Sequence, residues 1–428
     1  MKYYSTRDKS ARYSLKEAAF MGLAPDGGLF MPEEIPSADM NRVKELSGGS
    51  FADVSRYVAG LFFGQDLSPA QIDRIVEAAY GFPVPLKHLG DDKYTLELFH
   101  GPTFAFKDVG AGFMGRALGE LNDSGEDLVI LTATSGDTGS AVANGFYGID
   151  GVKVVVLYPD GKVSDLQESQ MTTLGKNIYP LKVRGTFDDC QRIVKEIFSD
   201  AAFRREKKVT SANSINILRW MPQSFYYFYA WAQWVAATGD TRPDIVVPSG
   251  NYGNISAGML AEKMGMSVGR FIAASNSNDI IPKYLETGVF APKPSVKTVA
   301  NAMDVGNPSN YERIVDLYGD DFAALTNRVK GYSCDDAAIL EAIREIYQKY
   351  GYVSDPHSAV GYNAAKEYQV KGFWLSTAHR AKFGDVIQEA LEKDFPLPAG
   401  LEKFLGKEKK YTLIDPVTAA VEDFVRTL

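Results

Sequence analysis

Short apolar runs alternate with longer amphipathic stretches along most of the chain after residue 128. Such alternation is typical of repeated βαβ units. The runs are rich in β-branched residues, and each is followed within three residues by Gly, Ser or Pro, which predicts strands buried on both faces of a parallel sheet. The predicted strands cover residues 128–132, 152–157, 178–183, 245–247 and 271–274.

Helical periodicity fills the gaps between these strands. The predicted helices cover residues 108–121, 138–147, 187–198, 222–237 and 255–264. Several of them begin directly after a loop rich in Gly, Ser or Asp, so their free N–H groups point toward the carboxyl edge of the sheet. We expect ligands to bind at that edge.

The first hundred residues follow a different pattern. Pro and Gly interrupt the chain at 24–28 and 32–36, and two amphipathic helices are predicted near 51–63 and 69–80. We interpret this part as an added N-terminal domain. The segment 292–308 is rich in Pro, Ser and Asn, which predicts a long connection or a mobile loop.

Composition and net charge indicate a globular protein and argue against one class of partner. The chain has 428 residues, of which 45% are hydrophobic and 23% charged, as expected for a globular chain of two or three domains. A net charge of −8 offers no broad positive surface, so nucleic acid is not an expected partner.

Cysteine usage and hydropathy bear on the compartment. Cys190 and Cys334 could form at most one bridge, which favours a reducing environment. No apolar leader and no run of about 18 apolar residues is present, so we expect a cytoplasmic protein that does not interact with membranes.

A glycine-rich loop follows the fourth predicted strand and precedes a predicted helix. The loop consists of Gly250, Asn251, Tyr252, Gly253 and Asn254. Two glycines let the backbone turn tightly, and successive N–H groups together with the helix N-terminus converge on an anion. The sequence therefore predicts a phosphate-binding loop, with a glycine-rich turn that binds no ligand as the alternative.

A second loop of this type runs from Thr134 to Gly139 after the first predicted strand. Ser135 or Asp137 could simply cap the next helix. Two such loops after two neighbouring strands predict two anionic groups bound side by side at one sheet edge. Neither loop matches the patterns GxxxxGK[ST] or GxGxxG, which argues against ATP and NAD.

Lys107 lies among aromatic residues at the start of a predicted helix, in the segment GPTFAFKD. An apolar neighbourhood lowers the pKa of a lysine toward the neutral amine that attacks a carbonyl. Lys107 is therefore a candidate for Schiff-base formation. A surface lysine whose stem packs on the aromatic rings is the alternative.

No metal site is predicted. The four histidines, His88, His100, His357 and His379, form no HExxH pair and have no cysteine at zinc spacing.

Taken together, the motifs resemble those of the fold-type II pyridoxal phosphate enzymes, and within them the threonine synthases. The resemblance runs along the whole chain. In chain order the motifs are YSTR (4–7), GLAPDGGLFMPE (22–33), HGPTFAFKD (100–108), ATSGDTG (133–139), SANSINILR (211–219), PSGNYGN (248–254), DPHSAVG (355–361) and STAHRAKF (376–383).

The resemblance implies a fold of two doubly wound α/β domains of the tryptophan synthase β-like kind, with an added N-terminal α-rich domain. We expect the N-terminal domain at 1–95, the domain with the Schiff-base lysine at 96–240, and the domain with the cofactor-phosphate loop at 241–428. Exchange of segments between the two α/β domains stays open.

The resemblance also implies pyridoxal 5′-phosphate as the cofactor. Lys107 matches the lysine that binds it covalently, and Gly250 to Asn254 match the loop that binds its phosphate. Asp137 stands where many relatives have an asparagine that contacts the 3′-oxygen of the ring, and a carboxylate there would repel an ionised oxygen unless one of them carries a proton. Thr377 matches the hydroxyl residue that faces the ring nitrogen, with Ser376 as the second candidate.

The implied reaction converts O-phospho-L-homoserine and water to L-threonine and phosphate by γ-elimination and β-addition, with Lys107 as the base. It requires a second phosphate site. The candidate substrate-binding residues are Ser135, Thr138, Lys162, Ser164, Asn213, Ser214 and Arg219. For each of them a surface charge or a helix cap is the alternative. The oligomeric state cannot be predicted from the sequence.

Three other classes of protein predict different sequence features. A serine or threonine dehydratase or a cysteine-forming enzyme should lack the N-terminal YSTR and APDGGLF motifs and needs no second phosphate site. A related protein that binds pyridoxal phosphate without turnover is disfavoured because Lys107 is retained. A nucleotide-binding scaffold predicts a Walker or Rossmann pattern, which the chain lacks.

Overall fold

The strands of the protein form three β-sheets. The structure is a computed structural model that describes residues 1–123 and 125–428. The strands in this part of the chain are β1 Lys2–Ser5, β2 Tyr13–Ser14, β3 Phe30–Pro32, β4 Leu86–Gly90, β5 Lys93–Glu97, β6 Leu128–Ala133, β7 Val152–Pro159, β8 Ile178–Val183, β9 Val209–Ser211, β10 Asp244–Pro248, β11 Phe271–Ser275, β12 Val329–Ser333, β13 Gly372–Ser376 and β14 Thr412–Ile414.

Helices cover the faces of the sheets. The α-helices are α1 Leu15–Met21, α2 Met40–Ser47, α3 Phe51–Phe63, α4 Pro69–Ala79, α5 Lys107–Leu121, α6 Asp137–Gly145, α7 Asp165–Thr172, α8 Phe187–Ser199, α9 Ala201–Glu206, α10 Ile217–Trp220, α11 Ser224–Thr238, α12 Gly253–Lys263, α13 Ile280–Thr287, α14 Tyr311–Leu317, α15 Phe322–Arg328, α16 Asp336–Tyr350, α17 Pro356–Glu367, α18 Gly384–Leu391, α19 Ala399–Glu402 and α20 Thr418–Arg426. Short 3₁₀ turns occur at Met221–Gln223, Asn301–Met303 and Arg380–Phe383.

The two larger sheets are predominantly parallel. The six-stranded sheet has the order β12-β11-β10-β13-β5-β4, with β4 antiparallel to β5 and the other pairs parallel. The five-stranded sheet has the order β14-β8-β7-β6-β9 and is parallel throughout. Their central strands are buried on both faces, as the uninterrupted apolar runs predict.

The predicted strands and helices are confirmed, with small changes at their ends. The strand at 178–183 has the predicted bounds, and the helix at 51–63 also does. The helix predicted at 222–237 instead begins with a 3₁₀ turn at Met221–Gln223, because Pro222 lacks the N–H that would continue an α-helix from the preceding turn.

One expectation about the sheets is wrong. The two glycine-containing loops do not follow neighbouring strands of one sheet, because β6 lies in the five-stranded sheet and β10 in the six-stranded sheet. Strand order in a sheet depends on crossover connections that the local sequence does not encode. The loops meet because the carboxyl edges of both sheets face one cavity.

The sheets also take strands from distant parts of the chain. β4 and β5 precede the five-stranded sheet in sequence but pair into the six-stranded sheet, through β13. β14, near the end of the chain, returns to pair with β8. The limits of the three domains stay a prediction.

The N-terminal part packs its helices on the rest of the molecule. It contains a small antiparallel sheet of β2, β1 and β3, and the N-terminal amine before β1 pairs with Asp66 in the turn between α3 and α4. Ser50 caps α3 through a capping box with Asp53, and the Phe51 ring lies 5.8 Å from that of Tyr229 on α11. The apolar face of α3 is therefore buried against α11.

Two further findings concern cysteines and helix length. Cys190 and Cys334 are both free thiols. Among residues 1–123 and 125–428, no helix combines the length and the apolar character needed to cross a bilayer.

Candidate active site

One cavity of about 1190 Å³ collects the carboxyl ends of strands from both larger sheets. The predicted site residues that line it are Lys107, Ser135, Asp137, Thr138, Asn213, Ser214, Arg219, Gly250, Asn251, Tyr252, Gly253, Asn254 and Thr377. Lys162 and Ser164 are exposed and do not line it. The sequence motifs, although up to 270 residues apart, therefore converge on a single space.

The glycine-rich loop presents backbone donors to this cavity. A Cβ on Gly250 would lie 2.6 Å from the Cα of Met303, so only glycine fits there. Tyr252 adopts the left-handed conformation (φ 60°) at the N-cap of α12. The N–H groups of Gly253 and Asn254, in the first turn, have no acceptor within the described residues. An anion in the cavity can accept hydrogen bonds from both N–H groups.

The side chain of Asn254 adds a further donor. Its Oδ1 accepts hydrogen bonds from the hydroxyls of Tyr226 at 2.6 Å and Tyr227 at 2.7 Å. Its Nδ2 is buried and has no hydrogen-bond partner in the described part of the chain. A buried donor without a partner is costly, so the site is built to receive an acceptor from a ligand.

The side chain of Asn251 is engaged within the protein. Its Oδ1 accepts from the N–H of Ser309 at 2.7 Å, and its Nδ2 donates to Oγ of Ser214 at 3.1 Å. Asn310 also donates to Oγ of Ser214, at 3.2 Å. Asn251 and Ser214 therefore fix the loop to the segment 309–310.

Lys107 is the first residue of α5 and lines the cavity. Its amine lies 5.7 Å from the centroid of the Phe106 ring. Burial lowers the pKa of Lys107 below its usual value, although the charge of Asp137 acts in the opposite direction. The amine is thereby shifted toward the neutral form, which can act as a nucleophile or a base.

The loop before Lys107 is held in an unusual conformation. Phe104 has a positive φ of 60°, which is rare for an aromatic residue. Phe106 donates its N–H to the carbonyl of Thr377 at 2.8 Å, and His379 donates its N–H to the carbonyl of Phe104 at 3.0 Å. These bonds fix the position from which Lys107 enters the cavity.

Asp137 is paired with a lysine that the sequence analysis did not single out. Lys382 Nζ lies 2.8 Å from Asp137 Oδ1, and Gln167 Nε2 donates to the same oxygen at 2.9 Å. Burial alone would raise the pKa of Asp137, but Lys382, Lys107 and the Gln167 amide together hold it below its usual range. The carboxylate is therefore ionised at neutral pH.

The missed lysine lies in the motif STAHRAKF, two residues after Arg380 and three after His379. A lysine in such a polar stretch is usually solvated. The signal that could have found it is Asp137 itself, because a buried carboxylate at this position requires a compensating charge.

The turn before α6 also presents free N–H groups. Thr134 Oγ1 accepts the N–H groups of Gly136 at 2.9 Å and Gly139 at 2.8 Å. Within the described residues, the N–H groups of Asp137 and Thr138 have no acceptor. Ser135 is exposed to the cavity. This turn can bind a second anionic group, such as a carboxylate.

Arg219 supplies a buried cation. Its side chain lines the cavity, the residue is only 3% exposed, and one guanidinium nitrogen has no partner among the described residues. Burial lowers the pKa of Arg219 to about 10, which still leaves it charged at neutral pH. Asn213, nearby in the lining, accepts a hydrogen bond from Thr132 at 2.7 Å.

The two candidate hydroxyls at the carboxyl end of β13 have different surroundings. Ser376 Oγ lies 2.8 Å from Thr95 Oγ1 and does not line the cavity. Thr377 lines the cavity; its N–H donates to Oγ of Ser358 at 3.2 Å, and its hydroxyl makes no hydrogen bond in the described part of the chain. Of the two, Thr377 is therefore the one available to a ligand.

Ser164 and Lys162 lie outside this arrangement. Ser164 caps α7, where its Oγ accepts the N–H of Gln167 at 3.3 Å. Lys162 is exposed. The prediction that they bind the substrate phosphate has no support from the cavity geometry, because a helix cap and a surface charge account for them.

Comparison with known proteins identifies the family. Three family models match: threonine synthase N terminus over residues 2–80, pyridoxal-phosphate dependent enzyme over 83–373, and threonine synthase, C-terminal, over 358–425. Threonine synthase from Haemophilus influenzae is 41% identical over 94% of this chain and 94% of its own length. The chain belongs to the threonine synthase family.

Solved structures of threonine synthases have the same fold. The crystal structure from Escherichia coli covers all of both chains with a TM-score of 0.91 and 38% identity. A pyridoxal-phosphate-bound threonine synthase from Brucella melitensis matches with a TM-score of 0.93 and 34% identity over 100% of this chain and 99% of that one. The predicted resemblance and fold class are thereby confirmed.

Proposed function

We propose that this protein converts O-phospho-L-homoserine and water to L-threonine and inorganic phosphate, with pyridoxal 5′-phosphate as its cofactor, in the cytoplasm. The observation that supports the proposal most strongly is that one cavity brings together the residues needed for this chemistry. Lys107, with its lowered pKa, lines the same space as two helix-start anion sites and the buried cation of Arg219.

The residues fit pyridoxal phosphate at four of its groups. Asn254 Nδ2 and the N–H groups that begin α12 are buried donors that a phosphate would satisfy. The Lys107 amine is available for a covalent link to an aldehyde. The free Thr377 hydroxyl can meet the ring nitrogen, and the Asp137 carboxylate can accept a hydrogen bond from the ring oxygen.

When bound, pyridoxal phosphate supplies an electron sink for the negative charge left by proton removal at the α-carbon of an amino acid. Lys107, as a neutral amine, is suited to remove that proton and later one from Cβ. Thr377 offers a hydroxyl, which does not protonate a pyridine nitrogen as a carboxylic acid does. We infer that the protein thereby favours elimination and replacement at Cβ and Cγ.

Two of the remaining groups suit the two charged ends of the substrate. The N–H groups of Asp137 and Thr138 are placed to bind its carboxylate. Arg219 is suited to its phosphate, because a guanidinium offers two parallel hydrogen bonds to a phosphoryl group and stabilises the charge of the leaving phosphate.

The test is an assay of the purified protein loaded with pyridoxal phosphate. We expect equal amounts of phosphate and L-threonine from O-phospho-L-homoserine. L-serine and L-threonine serve as competing substrates. Release of ammonia and a 2-oxo acid from these amino acids, without phosphate release from the phosphate ester, would instead assign a dehydratase. A coloured protein that acts on none of the three would be a binding protein without turnover.

A further inference from the structure

Lys382 is a buried lysine to which the proposed mechanism gives no role. Its side chain has no solvent-accessible surface. Lysines are almost never fully buried unless they are paired. Besides its contact with Asp137, Lys382 Nζ donates a hydrogen bond at 2.8 Å to the carbonyl of Thr103. It therefore joins the loop before α5 to the first residue of α6.

The backbone that carries Lys382 is rigidly placed. The Lys382 N–H donates to the carbonyl of His379 at 3.1 Å, and the His379 ring accepts the N–H of Ala381 at 3.2 Å. The His379 ring also packs edge-on against Phe99 and Phe104, with centroids 5.3 and 5.6 Å away. The lysine thus reaches Asp137 from a capped turn docked on the loop that leads to Lys107.

Both partners of Asp137 bind the same oxygen. Lys382 and Gln167 contact Oδ1, at 2.8 and 2.9 Å. Within the described residues, Oδ2 has no hydrogen-bond partner, and Asp137 lines the cavity. The pairing therefore fixes the carboxylate and leaves one oxygen toward the ligand space.

The charged groups that act on the Lys107 amine come from three other elements. They are Asp137 of α6, Lys382 of the turn after β13 and Arg219 of α10. Asp108 of α5 itself uses both carboxylate oxygens for hydrogen bonds to the loop before the helix. A lone carboxylate at position 137 would favour the protonated lysine, whereas a carboxylate paired with a second cation has a much weaker effect.

We propose that Lys382 is a positioning residue for the reaction: it neutralises Asp137 and ties it to the carbonyl of Thr103, so that the Lys107 nitrogen faces a closed ion pair rather than a free carboxylate. The inference rests on the proposed function, because it concerns the same nitrogen. It also explains how an aspartate is tolerated at position 137, since its charge is matched inside the protein.

The experiment is a pH titration of the visible absorption of bound pyridoxal phosphate, in the holoenzyme and its variants. In Lys382→Met the carboxylate of Asp137 loses its partner, and we expect the pH midpoint of the absorption change to rise by about one unit or more. In the double variant Asp137→Asn/Lys382→Met both charges are absent, and we expect the midpoint to return toward the wild-type value, so that the two substitutions are not additive.

Two further variants keep the test decisive. Lys382→Gln retains hydrogen-bond donors without the charge, and it should raise the midpoint in the same way; it provides the measurement if the Met variant does not fold. Lys409→Met is the matched control, because Lys409 pairs with Asp165 and Glu168 away from the cavity, and it should leave the midpoint unchanged.

A midpoint equal to that of the wild type in both Lys382→Met and Lys382→Gln would overturn the proposal. This readout requires only a bound cofactor. Phosphate release from O-phospho-L-homoserine is measured separately, so failure of the proposed reaction and failure of the charge pairing give different results.

Discussion

Tyr226 donates a hydrogen bond of 2.6 Å to Oδ1 of Asn254, and this bond determines that Nδ2 is the end of the amide left without a partner. Tyr227 makes the same contact at 2.7 Å. The two hydroxyls therefore orient a buried donor that lines the ligand cavity. The glycine-rich motif alone does not reveal this, because the two tyrosines belong to another helix.

The first prediction concerns these hydroxyls. In the double variant Tyr226→Phe/Tyr227→Phe, Oδ1 of Asn254 loses both donors, and a buried acceptor left unsatisfied costs about 1–3 kcal/mol. We expect the amide to reorient and the Kd for pyridoxal phosphate to rise by roughly tenfold or more. Titration of the apoprotein with pyridoxal phosphate, followed by visible absorption, measures this Kd.

Tyr318→Phe, which removes a hydroxyl bonded to Glu262 outside the cavity, is the control. An unchanged Kd in the double variant would refute the role of the hydroxyls.

The second prediction concerns Gly250. An alanine Cβ would lie 2.6 Å from the Cα of Met303, a backbone atom that cannot move aside alone. We expect Gly250→Ala to lower the free energy of unfolding by about 1–3 kcal/mol and to weaken cofactor binding, because the loop must shift. Chemical denaturation with and without cofactor measures both effects.

Gly60→Ala provides the matched control for Gly250. Gly60 lies inside α3, and among the described residues no atom beyond its chain neighbours and its own helix backbone lies within 4 Å of an added Cβ. This variant should be stabilised by about 0.5–1 kcal/mol. If Gly250→Ala behaved like Gly60→Ala, close packing would not explain the glycine.

The third prediction concerns Arg219. Loss of a charged hydrogen-bond donor to phosphate costs about 1.5–3 kcal/mol. We therefore expect Arg219→Met to raise KM for O-phospho-L-homoserine roughly 10- to 150-fold, with a smaller change in kcat. Steady-state kinetics measure the two constants. Arg74→Met removes an exposed arginine paired with Glu120 and should change neither constant. A KM for Arg219→Met close to that of the wild type would exclude the contact.

The fourth prediction concerns the pH dependence of stability. Burial, followed by the charge of Arg380, lowers the pKa of His379 from its ordinary value of 6.5 to about 4. Below pH 6.5 the unfolded chain binds a proton at His379 before the folded protein does. The stability that the neutral His379 ring contributes is therefore complete above pH 6.5 and is lost as the pH falls toward 4.

The magnitude follows from the shift and from the partial exposure of the ring. We expect the free energy of unfolding to fall by about 1–3 kcal/mol across this window on account of His379. His379→Asn should flatten the dependence, whereas His88→Asn, at an exposed position, should leave it intact. Chemical denaturation at pH values from 4 to 7 measures the free energy of unfolding of each variant. An equal slope in wild type and His379→Asn would contradict the prediction.

Local patterns predicted the local structure well. The apolar run at 178–183 and the amphipathic run at 51–63 have the same bounds in the structure as in the prediction. Both depend on side-chain periodicity, which the chain carries within a few residues. The loop from Gly250 to Asn254 also lies where the predicted strand and helix put it.

The sheet order and the charge balance of the site could not be predicted in this way. β5 pairs with β13, about 280 residues away, and nothing local encodes that choice. Lys382 compensates Asp137 only because the turn after β13 docks on the loop before α5. Ser164 carries a hydroxyl of the kind that binds phosphate, but it caps α7. The sequence does not separate these two roles, because a serine hydroxyl can bind phosphate or cap a helix equally well.

We propose that the amine of Lys107 holds the cofactor whose phosphate lies in the loop from Gly250 to Asn254. Reduction of the holoenzyme with sodium borohydride, followed by digestion and mass spectrometry of the peptides, tests it most directly. We predict the pyridoxyl phosphate group on the peptide that contains Lys107 and none on the peptide that contains Lys382. Attachment to any other lysine, or a coloured protein that carries no attached group after reduction, would show that Lys107 does not hold the cofactor.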